Sequence, residues 1–145
     1  MSNSRENIGK NIGILCRQLN IYINHELEKY NITASEIMYL GSLFIKDGVT
    51  QDELVTEFCV DKAAVARTLN SLEEKGLIKR ICNENDKRSK RVILTDMSYM
   101  YKDILKSIQD RWYEETFCLF GEDDIETFGN LLDSVSQKTR SINEK

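Results

Sequence analysis

The stretch TQDELVTEFCVDKAAVARTLNSLEEKG, residues 50–76, contains two helix starts in close succession. Thr50 followed by Glu53 is a capping box, in which hydroxyl and carboxylate satisfy each other's orphan backbone N–H groups. It opens a short helix that turns Leu54, Val55 and Phe58 inward. Asp61 is the N-cap of the next helix, whose apolar stripe is Val65, Leu69 and Leu72 and whose stop is Gly76. Two capped helices therefore meet across a tight turn.

Working outward, LIKRIC and RVILT after Gly76 read as two strands joined by the polar, basic NENDKRSK. Upstream, TASE repeats the capping box with Thr33 and Glu36. A helix with Ile37, Leu40 and Phe44 on its inner face follows, ending near Gly48. Helix, tight turn, helix and two-stranded hairpin together describe a winged helix-turn-helix, whose second helix enters the major groove of DNA. The predicted fold is mainly α (α+β), with the reading core at residues 33–96. Residues 5–31 and 97–143 supply flanking helices, and the whole of residues 1–145 forms a single domain.

The flanking segments contain no proline, so long helices are permitted. Ile8, Ile12, Leu15, Leu19, Ile23 and Leu27 recur at the helical spacing, while Ile14, Ile21 and Tyr22 lie off that stripe. A helix apolar on more than one side packs either on one broad core or on two neighbours, one of which belongs to a second subunit. Toward the C-terminus, Ile104, Ile108, Trp112 and Phe117 mark one helix, and Ile125, Phe128, Leu132 and Val135 another.

Composition fits a soluble globular protein, with 41% hydrophobic and 30% charged residues in 145. No apolar run reaches the ~20 residues that span a bilayer, and the opening MSNSRENIGK lacks the apolar core of a secretory signal. A cytoplasmic protein without membrane contact is expected. Cys16, Cys59, Cys82 and Cys118 form no C-x-x-C pair and read as small buried hydrophobes. With His25 the only histidine, neither a metal site nor a cofactor is expected. The chain has no Gly-rich phosphate loop and no nucleophile elbow, so turnover is not expected either.

Charge is unevenly placed. Residues 62–91 hold nine Lys or Arg against four Asp or Glu, a charge of +5, whereas the whole chain carries −4 and the remainder therefore −9. Such asymmetry marks a local footprint for an anion. With Val65, Leu69 and Leu72 inward, Ala63, Arg67, Asn70 and Ser71 point away from the core, and Lys62 and Ala64 flank them. Arg67 suits guanine O6 and N7, Asn70 an adenine edge, and the alanine methyls thymine C5-methyl groups. An ordinary surface helix rich in alanine for its propensity gives the same pattern. In the hairpin, Lys87, Arg88, Lys90 and Arg91 gather near the tip, and arginine is favoured in a narrow minor groove. Asp86 either accepts from the Arg88 guanidinium or simply forms the turn. Thr33, Ser35 and Thr50, at helix starts, offer hydroxyls and N–H groups to phosphates.

DKAAVARTLNSLEEKGLIKR and NDKRSKRVILT resemble the MarR family of bacterial winged-helix transcriptional regulators, and the likeness extends over nearly the whole length. Asp86, Arg88, Leu94 and Thr95 match that family's D-x-R…L-T wing signature. The resemblance implies a homodimer with interlocked N- and C-terminal helices, Arg88 in the minor groove and Arg67 in the major groove. It implies recognition of pseudo-palindromic double-stranded DNA, which many members release when a small lipophilic or phenolic effector, or an oxidant, acts on them; repression is the expected sign of regulation. Candidate effector-pocket residues are Cys16, Leu19, Ile23, Met38 and Leu43, each equally readable as core. Ala63 and Ala64 stand where relatives often carry Ser or Thr, and Cys16 lies about two turns beyond the position of the peroxide-sensing cysteine, occupied here by Gly9. The competing reading is a winged-helix interaction module whose basic hairpin meets an acidic protein.

Overall fold

The structure, a computed structural model, describes residues 4–145, with the side chains of Asn83 and Lys87 excepted. The order is α1 (Ser4–Leu27), α2 (Ala34–Ile45), α3 (Gln51–Phe58), α4 (Lys62–Glu74), β1 (Ile78–Asn83), β2 (Asp86–Leu94), α5 (Met100–Phe117) and α6 (Glu122–Asn143), with 3-10 turns at Glu28–Tyr30 and Asp96–Tyr99. The chain forms two compact units, one ending at Ile108 and the other comprising Gln109–Lys145. No helix among the described residues is long and apolar enough to cross a membrane.

The capped starts form as the side chains dictate. Thr33 Oγ1 accepts from Glu36 N at 3.2 Å while Thr33 N donates to Glu36 Oε2 at 2.9 Å. Thr50 and Glu53 repeat the exchange at 3.2 and 2.7 Å. Asp61 Oδ1 accepts from Ala64 N at 2.8 Å and caps α4. Replacing Thr50 with alanine removes one such acceptor at the start of α3. The loss should be about 1 kcal/mol, read as a fall of roughly 2–4 °C in the thermal midpoint at this chain length.

The apolar stripes of α2, α3 and α4 converge. Ile37, Leu40, Leu43, Leu54, Val65, Leu69, Leu72, Ile78 and Val92 are fully buried in the first unit, together with Leu27 at the end of α1. A Cβ on Gly41 would lie 2.8 Å from Leu105 Cδ2, so α2 and α5 approach closely here and a larger residue at 41 would have to displace the Leu105 side chain. In the second unit Phe117 gathers Trp112, Tyr113, Phe120 and Phe128, with ring centroids 5.2–6.2 Å away.

The antiparallel hairpin differs from the expected strand–loop–strand. β2 begins at Asp86, so the basic run lies within the strand rather than in a loop. Cys82 pairs with Lys90 but Asn83 with Asp86, leaving Lys87, Arg88 and Ser89 as a bulge in β2. The loop before α3 joins the hairpin as well: Val92 N donates to Val49 O at 2.8 Å, and Gly48 N donates to Val92 O at 3.1 Å. The base is closed by Thr95, whose hydroxyl donates to Gly76 O at 2.6 Å, and by Asp47, which accepts from Leu94 N at 3.0 Å.

The cysteines also depart from expectation, since all four are exposed. Cys59 ends α3 in the left-handed conformation with φ 52°, and Cys82 sits on the outer part of β1. A thiol is small and weakly polar, so apolar sequence neighbours do not decide which face it takes.

Candidate nucleic-acid interface

α4 presents the residues that its buried stripe leaves over. Lys62, Ala63, Arg67 and Asn70 are exposed and Ala64 half-buried. Lys62 lies 3.6 Å from Asp52 of α3, an exposed pair of little energetic weight. Ser71 departs from the outward placement. Its hydroxyl donates to Glu36 Oε1, because residue 71 is adjacent to Leu72 and turns toward α2 rather than outward.

Beside this face stands the hairpin. Lys90 and Arg88 are exposed, and Arg88 rises from the bulge. Asp86 does not hold the Arg88 guanidinium; its Oδ1 accepts from the Arg88 backbone N–H at 3.0 Å and so shapes the bulge. Arg91 is half-buried and donates to Gly48 O at 2.7 Å, which fastens the hairpin to the loop before α3. The Lys87 side chain lies outside the described residues. At the helix starts, Ser35 and Thr33 are exposed and Thr50 half-buried, the two threonines being occupied as caps.

Helix and hairpin are joined by a contact that sequence reasoning missed. Arg80 of β1 donates from Nη2 to Asn70 Oδ1 at 2.6 Å and to Glu73 Oε1 at 3.1 Å, and from Nε to Glu73 Oε2 at 3.1 Å. The hydrogen bond from Arg80, helped by the charges of Arg80 and Lys90, holds the Glu73 carboxyl below its ordinary value despite slight burial. Lys90 is thus near enough to α4 for Glu73 to feel it. One signal was present in the sequence, an arginine just after the helix stop, but only the fold shows which residues it meets.

The candidate pocket residues differ in burial. Leu43 is part of the filled core, Ile23 packs against that core, Leu19 is half-buried, and Cys16 and Met38 are exposed.

A sequence profile of the MarR family matches residues 32–90. A MarR transcriptional regulator from Methanosarcina mazei Go1 is 31% identical, with 94% of this chain and 99% of that one covered and a TM-score of 0.88. This chain belongs to the MarR family. The HTH-type transcriptional regulator MgrA of Staphylococcus aureus is 28% identical over 130 residues, which cover 89% of this chain and 87% of MgrA. A mutant MarR from E. coli, solved in complex with operator DNA, is 27% identical, with 92% of this chain and 96% of that one covered and a TM-score of 0.81. The match of the family profile encloses the whole of α2, α3 and α4 and most of the hairpin, so the face with Arg67, Asn70 and Arg88 lies inside it.

Proposed function

We propose that this MarR-family protein is a cytoplasmic homodimer that reads pseudo-palindromic double-stranded DNA, represses transcription there and is released by a small lipophilic or phenolic effector. The carrying observation is the exposed face of α4 fastened by Arg80 to a basic hairpin in an otherwise acidic chain. Arg67 then reads a base edge in the major groove, Arg88 enters the minor groove, and Lys62 and Lys90 lie toward phosphates. The reading core, residues 33–96, belongs to one domain with its flanking helices.

Support for the dimer comes from apolar surface. α1 leaves Ile8, Ile12 and Leu15 38–53% exposed, and α6 leaves Phe128, Leu131, Leu132 and Val135 40–61% exposed. Each set follows the helical repeat, the pattern of a helix that packs against another chain. Release by an effector is what the family resemblance implies, with Cys16, Leu19, Ile23, Met38 and Leu43 as the candidate lining residues.

The test is fluorescence anisotropy with duplex from upstream of the protein's own gene and a scrambled control, across a salt series. Preference for the native duplex is expected. Absence of binding to either duplex at low salt would hand the basic hairpin to an acidic protein partner instead. Lys90→Ala should weaken both duplexes alike and lower the slope of log K against log salt by about 1, the loss of one phosphate contact.

A further inference from the structure

We infer that Arg80 determines which base Asn70 reads. The inference rests on the proposed DNA reading and deepens it. A guanidinium has only donors. The Asn70 atom 2.6 Å from Arg80 Nη2 is therefore the carbonyl oxygen, and this chemistry fixes which way the amide lies. Arg80 is itself held firmly. Three hydrogen bonds tie it to the Glu73 carboxylate, one of them from its backbone N–H at 3.1 Å, and its side chain is 19% exposed.

The consequence is a change in the readable pattern. Asparagine pairs with adenine by accepting from N6 with its oxygen and donating to N7 with its nitrogen. Here the oxygen faces a cation that also donates, and an adenine N6 amino group brought to it would meet guanidinium N–H groups. The amide nitrogen is the group turned away from Arg80. It offers donors alone, and guanine O6 and N7 or thymine O4 offer acceptors alone. The nearby positive charge favours the same bases. Asn70 lies one turn after Arg67 on the exposed side of α4, so the two residues read neighbouring positions. Arg80 is a positioning residue in this scheme. It acts on base choice through Asn70.

The experiment is selection from a randomised duplex pool with wild type, Asn70→Ala, Arg80→Met and Glu73→Gln, each first shown to be folded by thermal melting. The position that loses its preference in Asn70→Ala is the one Asn70 reads. Wild type should choose guanine or thymine there. Arg80→Met should raise adenine relative to guanine by roughly fivefold or more, the worth of a regained bidentate pair. Glu73→Gln, which loosens Arg80 without removing it, should shift preference the same way by less, and it carries the test if Arg80→Met does not fold. Adenine chosen by wild type, no position altered in Asn70→Ala, or preference unmoved in the folded Arg80 and Glu73 variants overturns the inference and leaves the DNA reading standing. A wild-type pool that enriches no duplex overturns both.

Discussion

Glu36→Gln should lower the unfolding free energy by about 3 kcal/mol at neutral pH, the cost of breaking a buried ion pair by removing one member. Glu36 is 4% exposed and joins α2 to α4 through three partners. It accepts from Thr33 N at the start of α2, from Ser71 Oγ of α4, and from Lys75 Nζ at 2.7 Å just beyond the end of α4. Glutamine is isosteric but neutral, and its NH2 group would face another donor. The effect belongs at the lower end of the range because 26% of the Lys75 side chain meets water and Nζ keeps its 2.8 Å bond to Asn31 O. Urea unfolding of wild type and variant measures the difference.

That difference carries a pH signature. Burial opposes ionisation of Glu36, but the hydrogen bonds from Lys75, Ser71 and Thr33 together with the Lys75 charge outweigh it and hold the carboxyl below its ordinary 4.5. A group whose value is depressed on folding contributes stability above its unfolded value and loses it as pH falls through the folded one. The gap between wild type and Glu36→Gln should be flat above about pH 5.5 and narrow once pH falls below the ordinary value. A gap that stays constant into acid would mean that packing, not charge, accounts for the loss.

The two capping boxes and the Asp61 cap were readable because their chemistry is local: donor and acceptor lie three residues apart. The buried stripe of α4 was readable for the same reason, since helical periodicity needs no tertiary information. β2 was not. Asp86, Lys87, Arg88, Ser89 and Lys90 have no apolar alternation, and the run becomes strand because Asn83 and Cys82 of β1 pair with Asp86 and Lys90 at its two ends. The bulge likewise depends on register between two segments. Arg80 and Ser71 show how far a wheel drawn from one helix can be trusted. It placed Arg67 on the exposed face, yet it could not show that α2 reaches Ser71 or that β1 returns to Asn70. The cysteines failed for want of any periodic signal at all. Arg91 looked like one more base in a cluster, and only the Gly48 carbonyl beside it reveals a tie within the fold.

Arg67→Ala should weaken binding to the preferred duplex by roughly 1–3 kcal/mol, about 5- to 150-fold, and relax base choice at one position in each half-site. The side chain is exposed in the middle of α4, so its removal should change stability by no more than about 0.5 kcal/mol and any loss of binding is a property of the contact. Its effect should exceed that of Lys90→Ala because a guanidinium makes two directed hydrogen bonds to guanine, whereas an ammonium near a phosphate supplies a charge that water and salt screen. Arg67→Lys separates the two contributions. If the bidentate pair matters, lysine restores the salt slope but not the base preference. Competition anisotropy on the selected duplex and its single-base variants reads both quantities. A loss of equal size on every sequence would move Arg67 to the phosphate backbone, and an unchanged affinity would remove the exposed face of α4 from the reading surface altogether.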